Sequence, residues 1–78
     1  MIIRHRALTA LGANIRRRRQ RQALTQEQVA ATADLDPTYI SGIERGVRNP
    51  SILSVLKIAQ ALDTTIAALT KGIDGPPS

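Results

Sequence analysis

The chain has 78 residues, no cysteine and a formal net charge of +5. A chain of this length is expected to form one small domain of modest stability. The lack of cysteine excludes disulfides, thiolate metal ligands and a cysteine nucleophile. No apolar run is long enough for a signal peptide or a membrane span, so we expect a soluble intracellular protein.

Basic residues are concentrated towards the amino terminus. Residues 1–24 contain seven arginines and no acidic residue, whereas residues 25–78 contain four basic and six acidic residues. A basic lobe on a small domain favours a polyanionic partner, with nucleic acid first and an anionic membrane surface second. The alternative is a solvated, arginine-rich helix face that only aids solubility.

Glycine, proline and capping residues divide the chain into five predicted helices and no strand. Helix one is expected from residue 6 or 7 to 22, helix two from 26 to 33, helix three from 37 to 45, helix four from 52 to 62 and helix five from 66 to about 71. Residues 1–73 form the predicted domain, and residues 74–78 a disordered tail. The apolar positions at helical spacing are Leu8, Leu11, Ile15, Val29, Ala30, Ala33, Ile40, Ile43, Ile52, Val55, Leu56, Ala59 and Leu62.

Helices two and three have strong start signals and are separated by a very short turn. Thr25 with Gln28 forms a capping box, and Asp36 followed by Pro37 places an acceptor at the N-cap and proline at the first helical position. Residues 33–35 leave room only for a sharp corner. Two short helices joined in this way predict a helix-turn-helix, whose second helix enters the DNA major groove.

The sequence contains no evident catalytic constellation. His5 is the only histidine and falls in an expected frayed end, and the six acidic residues are scattered. There is no glycine-rich phosphate loop and no metal-ligand spacing. We therefore expect no enzyme activity, no metal, no cofactor and no small-molecule ligand.

Several segments occur in the order and spacing of one family of regulators. They are Ile15-Arg16 with Arg19, Leu24-Thr-Gln-Glu-Gln-Val-Ala30, Tyr39-Ile-Ser-Gly-Ile-Glu-Arg-Gly46, Arg48-Asn-Pro-Ser51 and Leu56-Lys-Ile-Ala-Gln-Ala-Leu62. Through them, residues 15–69 resemble the lambdoid repressor and Cro type of helix-turn-helix domain, the xenobiotic-response-element-like regulators. The resemblance implies an all-α, compact five-helix, lambda-repressor-like DNA-binding fold. Residues 38–46 with the following Arg48-Asn49 look most like controller proteins of restriction–modification systems.

The resemblance implies DNA contacts at the start of helix two, along helix three and in the loop after it. The implied residues are Gln26, Asp36, Pro37, Thr38, Tyr39, Ser41, Gly42, Arg45, Arg48 and Asn49. Gln26 would hold a phosphate, and Arg45 and Arg48 would neutralise phosphates or reach a neighbouring base. We expect thin direct readout, because Pro37 and Gly42 lack polar side chains at positions on the exposed face where relatives often carry base readers.

Other roles implied by the resemblance are structural. Arg19 and Glu44 correspond to an internal ion pair that ties helix one to helix three. Tyr39 is expected to pack its ring on the scaffold and to point its hydroxyl outward. Arg18 stands where the family has a buried leucine, so its stem is expected to lie along the edge of the core.

Four apolar residues that the core does not obviously need predict a two-fold dimer interface. They are Leu53, Ile66, Ala67 and Ile73. Such a dimer would place two recognition helices about 34 Å apart, one for each half-site of a palindromic operator. The resulting hypothesis is a cytoplasmic, nucleoid-associated homodimer that binds double-stranded DNA and controls transcription of its own or a neighbouring operon.

Two other classes of function stay open from the sequence. One is an antitoxin or similar interaction module whose main partner is a protein, which an obligate hetero-complex would reveal. The other is a membrane-surface peptide that uses the amino-terminal arginines, although the weak hydrophobicity between them argues against it. For the four apolar residues, scattered surface hydrophobes are the alternative to a dimer interface.

Overall fold

A computed structural model describes residues 5–75 of the chain. In this range the elements are five helices and no strand: α1 (Arg6–Arg21), α2 (Gln26–Ala33), α3 (Pro37–Glu44), α4 (Ile52–Ala61) and α5 (Ile66–Leu69). The predicted all-α, five-helix fold is confirmed, although every helix except α2 ends earlier than expected. None of the helices described is both long enough and apolar enough to cross a membrane.

The predicted tail begins inside the described residues. Asp74 lies in a turn, and the Gly75 N–H donates to the carbonyl oxygen of Gly72 at 3.2 Å. Residues 76–78, which complete that tail, lie outside the described residues, as do residues 1–4 with Arg4 of the basic lobe.

Each helix begins at a side chain that accepts a hydrogen bond from a backbone N–H of its first turn. The capping box of α2 is complete, with Thr25 Oγ1 at 3.0 Å from the Gln28 nitrogen and Gln28 Oε1 at 2.8 Å from the Thr25 nitrogen. Asp36 caps α3 through a 2.7 Å bond from the Thr38 N–H. The other caps are His5, Ser51 and Thr65. Because capping is local chemistry, it places α2 and α3 where the sequence predicts them.

Four helices end in the same left-handed turn. In these four turns the residues with positive φ are Ala23, Asp34, Gly46 and Asp63, at 56°, 57°, 75° and 54°. In each case the following residue donates its N–H to the carbonyl oxygen five residues earlier, which is the Schellman closure. At the end of α3 the turn requires glycine, because a Cβ on Gly46 would lie 3.0 Å from the Cα of Thr9.

The face that α4 turns to the core contains only some of its apolar positions. Its buried side chains, with the cap that follows, are Val55, Ile58, Ala59 and Leu62. Ile52 and Leu56, which are among the apolar positions at helical spacing, are 69% and 37% exposed and lie outside the core. Leu56 lies roughly 100° around the helix from Val55. Ile52 lies about one turn before Leu56, past the edge of the core. Together with Leu53, which is 61% exposed, these two residues form what we call the α4 patch.

Helices α1 and α3 approach so closely that only glycine fits between them. A Cβ on Gly12 would collide with the carbonyl oxygen of Ile43 and would lie 2.6 Å from that of Glu44. The buried side chains around this contact are Leu11, Ile15, Ile40 and Ile43. Leu8, which belongs to the expected apolar face of helix one, is half-buried. The backbone contact at Gly12 therefore sets the position of α3 relative to α1.

Candidate nucleic-acid interface

Helix α3 packs along one side and leaves the other side open to solvent. Its buried apolar side chains are Ile40 and Ile43. On the open side Pro37 and Thr38 are exposed, and Ser41 is half-buried. Asp36 is also exposed, but its carboxylate is engaged in capping the helix. The start of α3 thus presents one free hydroxyl, that of Thr38, beside the apolar ring of Pro37.

Arg19 and Glu44 form a buried, two-pronged ion pair between α1 and α3. Arg19 Nε lies 2.7 Å from Glu44 Oε2, and Arg19 Nη2 lies 2.9 Å from Glu44 Oε1. Arg19 Nη1 also donates to the carbonyl oxygen of Leu24 at 2.8 Å. All the polar atoms of this guanidinium are therefore engaged inside the chain, and Arg19 positions α3 instead of facing a ligand.

The same pair changes the titration of Arg19. The hydrogen bond to Glu44 raises the pKa of the Arg19 guanidinium above its ordinary value, while burial works in the opposite direction. A folded-state pKa that is raised gives stability that is fully present below the ordinary arginine value and is lost only in strongly alkaline solution. The guanidinium therefore holds α3 equally well throughout the neutral range.

Gln26, predicted to hold a phosphate, turns its side chain inward. Its Nε2 donates to Glu44 Oε1 at 3.1 Å, and the residue is half-buried. The amide thus extends the Arg19–Glu44 pair to the start of α2. Sequence spacing alone does not reveal this contact, because Gln26 and Glu44 lie on different helices.

Tyr39 faces the scaffold with both ends of its side chain. The ring packs against the apolar core, and the hydroxyl donates to Ser54 Oγ on α4 at 3.2 Å. The expectation that this hydroxyl points outward is therefore corrected. A half-buried phenol needs a partner for its polar end, and Ser54 lies within reach once α3 and α4 have packed.

Gly42 is buried and does not lie on an exposed face, contrary to the prediction. The aliphatic stem of Arg48 covers it, and a Cβ on Gly42 would collide with Arg48 Cγ. The guanidinium of Arg48 then lies over the Tyr39 ring, with Cζ 5.1 Å from the ring centroid. A loop arginine is thereby held along the side of α3, an arrangement that the sequence motifs do not indicate.

The loop after α3 carries exposed positive charge. Arg45, Arg48 and Asn49 are all exposed. Within residues 5–75 the Arg19–Glu44 pair is the only salt bridge, so Arg45 and Arg48 have no carboxylate partner there. The open side of α3 is therefore flanked by two cations and an amide that are available to an anionic surface.

The four predicted dimer residues do not form one exposed surface. Leu53 belongs to the α4 patch, and Ala67 is exposed. Ile66 and Ile73 are half-buried and pack against the core of their own chain. The larger apolar surface is the α4 patch, which contains only Leu53 of the four predicted residues.

Comparison with known proteins places this arrangement among regulators. Residues 15–69 match the helix-turn-helix family HTH_3, a stretch that runs from the middle of α1 to the end of α5. The control protein C.MunI of Mycoplasma sp is 42% identical over 57 residues, covering 73% of this chain and 77% of that protein. The uncharacterised HTH-type transcriptional regulator y4dJ of Sinorhizobium fredii is 37% identical over 67 residues, covering 86% and 87%.

A solved structure extends the similarity to three dimensions. The restriction–modification controller protein C.AhdI from Aeromonas hydrophila superposes with a TM-score of 0.78 and 40% sequence identity. The superposition covers 80% of this chain and 94% of that chain.

Proposed function

We infer that this chain, which belongs to the helix-turn-helix family HTH_3, is a sequence-specific DNA-binding regulator of transcription. The lambda-repressor-like fold and the family expected from the sequence are both confirmed. The observation that carries the function is α3 itself: its inner side is fixed by an ion pair, and its open side is flanked by cations. This is how a recognition helix is presented to the major groove.

Arg48 is the residue we propose for direct base readout. Its stem lies on Gly42 and its guanidinium on Tyr39, so the planar fork sits beside the open side of α3. A fork of this kind matches the O6 and N7 atoms of guanine. Because stacking already restricts the side chain, little rotamer entropy is lost on binding. Thr38 and Ser41 add short hydroxyl groups, and DNA shape supplies the remaining specificity.

The residues around Arg48 are proposed to contact the DNA phosphates. Arg45 and Asn49 are exposed in the loop and are engaged by no other side chain in the hydrogen bonds of residues 5–75. At the start of α2, the backbone N–H groups are proposed to hold a phosphate in place of the Gln26 amide, which is bonded to Glu44. These contacts set the register of the protein on the duplex and carry no sequence information.

The α4 patch is proposed to pair two copies of the chain. A two-fold interface places the same patch on both sides, so Ile52, Leu53 and Leu56 of each copy would cover those of the other. The two recognition helices would then face half-sites about one helical turn apart in a palindromic operator. As a controller-like regulator at the nucleoid, the dimer would act on its own or a neighbouring operon, with occupancy set by its concentration.

Selection of bound sequences from random duplex DNA tests this function. The chain should enrich a palindrome of two half-sites. Arg48→Ala should relax the selected sequence at one position in each half-site and cost about 1–3 kcal/mol there. Arg45→Ala should weaken all sequences alike and lower the salt slope by about one. Enrichment of no sequence, or of one unpaired half-site, would exclude a dimeric sequence-specific regulator.

A further inference from the structure

An open cleft of about 290 Å³ lies between α1 and the end of α5. Most of its lining is cationic. The lining residues are Asn14, Arg17, Arg18, Arg21, Ala68 and Lys71. None of them belongs to the surface that is proposed to contact the operator.

The floor of the cleft is a built structure that joins two helices. Asn14 Nδ2 donates to the carbonyl oxygens of Leu69 and Lys71, at 2.9 and 3.1 Å. Asn14 Oδ1 in turn accepts from Arg17 Nη1 at 3.2 Å. One amide thus holds the end of α5 against α1 and orients the guanidinium of Arg17, whose other N–H groups stay available to a ligand.

The four cations of the cleft have no carboxylate partner in the described part of the chain, where Arg19–Glu44 is the only salt bridge. Like charges arranged around one concave surface repel each other, and the protein walls concentrate their potential. A bound anion relieves that repulsion. The cleft therefore has an electrostatic preference for a ligand that carries more than one negative charge.

The cleft lies on a different side of α1 from the recognition helix. Arg17 and Arg21 each stand two positions from Arg19, so they project roughly 200° away from it around the helix. Arg19 points to Glu44 on α3. The stretch of DNA whose major groove holds α3 therefore does not fill this cleft.

We propose that the cleft binds a phosphate-bearing ligand. Arginine presents a planar fork that matches two phosphate oxygens, and lysine adds a compact charge. The volume is close to the lower bound for small-molecule pockets, roughly 300 Å³, which suits one or two phosphate groups with a sugar. This site goes beyond the proposed DNA-binding function, and only the assignment of its phosphates to flanking DNA rests on that function. The phosphates come either from DNA outside the half-sites or from a free phosphorylated molecule.

The site is tested by titrating the full chain with inorganic pyrophosphate at constant ionic strength. Binding is monitored by the NMR chemical shifts of the backbone amides. We expect saturable binding with shifts confined to the second half of α1 and the end of α5. The double variant Arg18→Ala with Lys71→Ala should lose at least about tenfold in affinity. Arg16→Ala is the matched control, because Arg16 is an exposed arginine of the same helix that does not line the cleft. Thermal unfolding checks that all variants are folded.

Two further arms identify the source of the phosphate. Displacement of pyrophosphate by a duplex that extends past both half-sites, but not by the half-sites alone, assigns the cleft to flanking DNA. Pyrophosphate that stays bound beside either duplex assigns it to a free phosphorylated molecule. The proposal is overturned by unsaturable binding, by an equal loss in Arg16→Ala, or by tighter binding of a polyglutamate peptide, which would indicate an acidic protein partner.

Discussion

The two surfaces proposed to contact macromolecules are built in opposite ways. On the α3 side, side chains engage one another within the chain: Arg19 with Glu44, and Arg48 with Tyr39. On the α4 side, Leu53 and its neighbours in the α4 patch are exposed apolar groups that no described residue covers. The α3 side is ordered before binding, so contact with DNA requires little further ordering. The α4 side gains stability only when apolar area is removed from water by a second copy.

The largest effect on stability is expected at Glu44, the only acid among residues 5–75 that holds α3 against α1. Glu44→Ala should lower the free energy of unfolding by about 3–5 kcal/mol, because it leaves the Arg19 charge buried without a partner. It also removes the acceptor of the Gln26 amide. Urea unfolding measures the change.

The control for this variant is Asp74→Ala, which removes an exposed carboxylate in the turn that follows α5. Its effect should stay within about 0.5 kcal/mol. Similar losses in the two variants would show that the α3 side is not held by its buried pair.

A substitution on the α4 side should change the strength of the dimer and leave the folding of the monomer unchanged. Leu53→Glu places a charge in the α4 patch, so the dimer dissociation constant should rise at least about tenfold. The unfolding of the monomer should change little, because the side chain is already 61% exposed. Sedimentation measures the mass, with Ala31→Glu on the exposed side of α2 as the control. A dimer of unchanged strength would remove the α4 patch from the interface.

The smallest change in free energy is expected at Gly42, which lies under the stacked side chain of Arg48. Gly42→Ala should displace the Arg48 stem and weaken DNA binding, although residue 42 itself reaches no base. In an Arg48→Ala background the clash is absent, and the same change should stabilise the helix by about 0.5–1 kcal/mol. A double-mutant cycle on the free energy of unfolding measures the coupling between residues 42 and 48. Strictly additive changes would show that Gly42 does not position Arg48.

Local chemistry explains how much of the fold could be predicted from the sequence. Thr25 and Asp36 fix helix starts through their own side chains, so both starts agree with the structure. Helices α1 and α4 end one residue earlier than expected, because Ala23 and Asp63 adopt the left-handed conformation without the glycine that would indicate it. On α4, where apolar residues are frequent, composition does not show which face is buried. Leu56 is among the expected apolar positions at helical spacing and is exposed, whereas Ile58 is not among them and is buried.

The candidate site could be predicted only as a set of positions. The motif assigns the open side of α3 and the loop arginines, because these follow from chain order. The inward turn of Gln26, the cover over Gly42 and the partner of the Tyr39 hydroxyl arise from contacts between helices. The cationic cleft is of the same kind, since Lys71 reaches the arginines of α1 only through the packing of α5.

The contact between Arg48 and Tyr39 also gives the protein an optical reporter. Tyr39 is the only tyrosine, and the chain has no tryptophan or phenylalanine, so its ultraviolet emission comes from this one ring. A guanidinium lies over the ring, and the phenol hydroxyl is bonded to Ser54. When DNA binds beside the stacked guanidinium, the surroundings of the fluorophore change. Binding to DNA can therefore be followed in the unlabelled protein by the intensity of its intrinsic fluorescence.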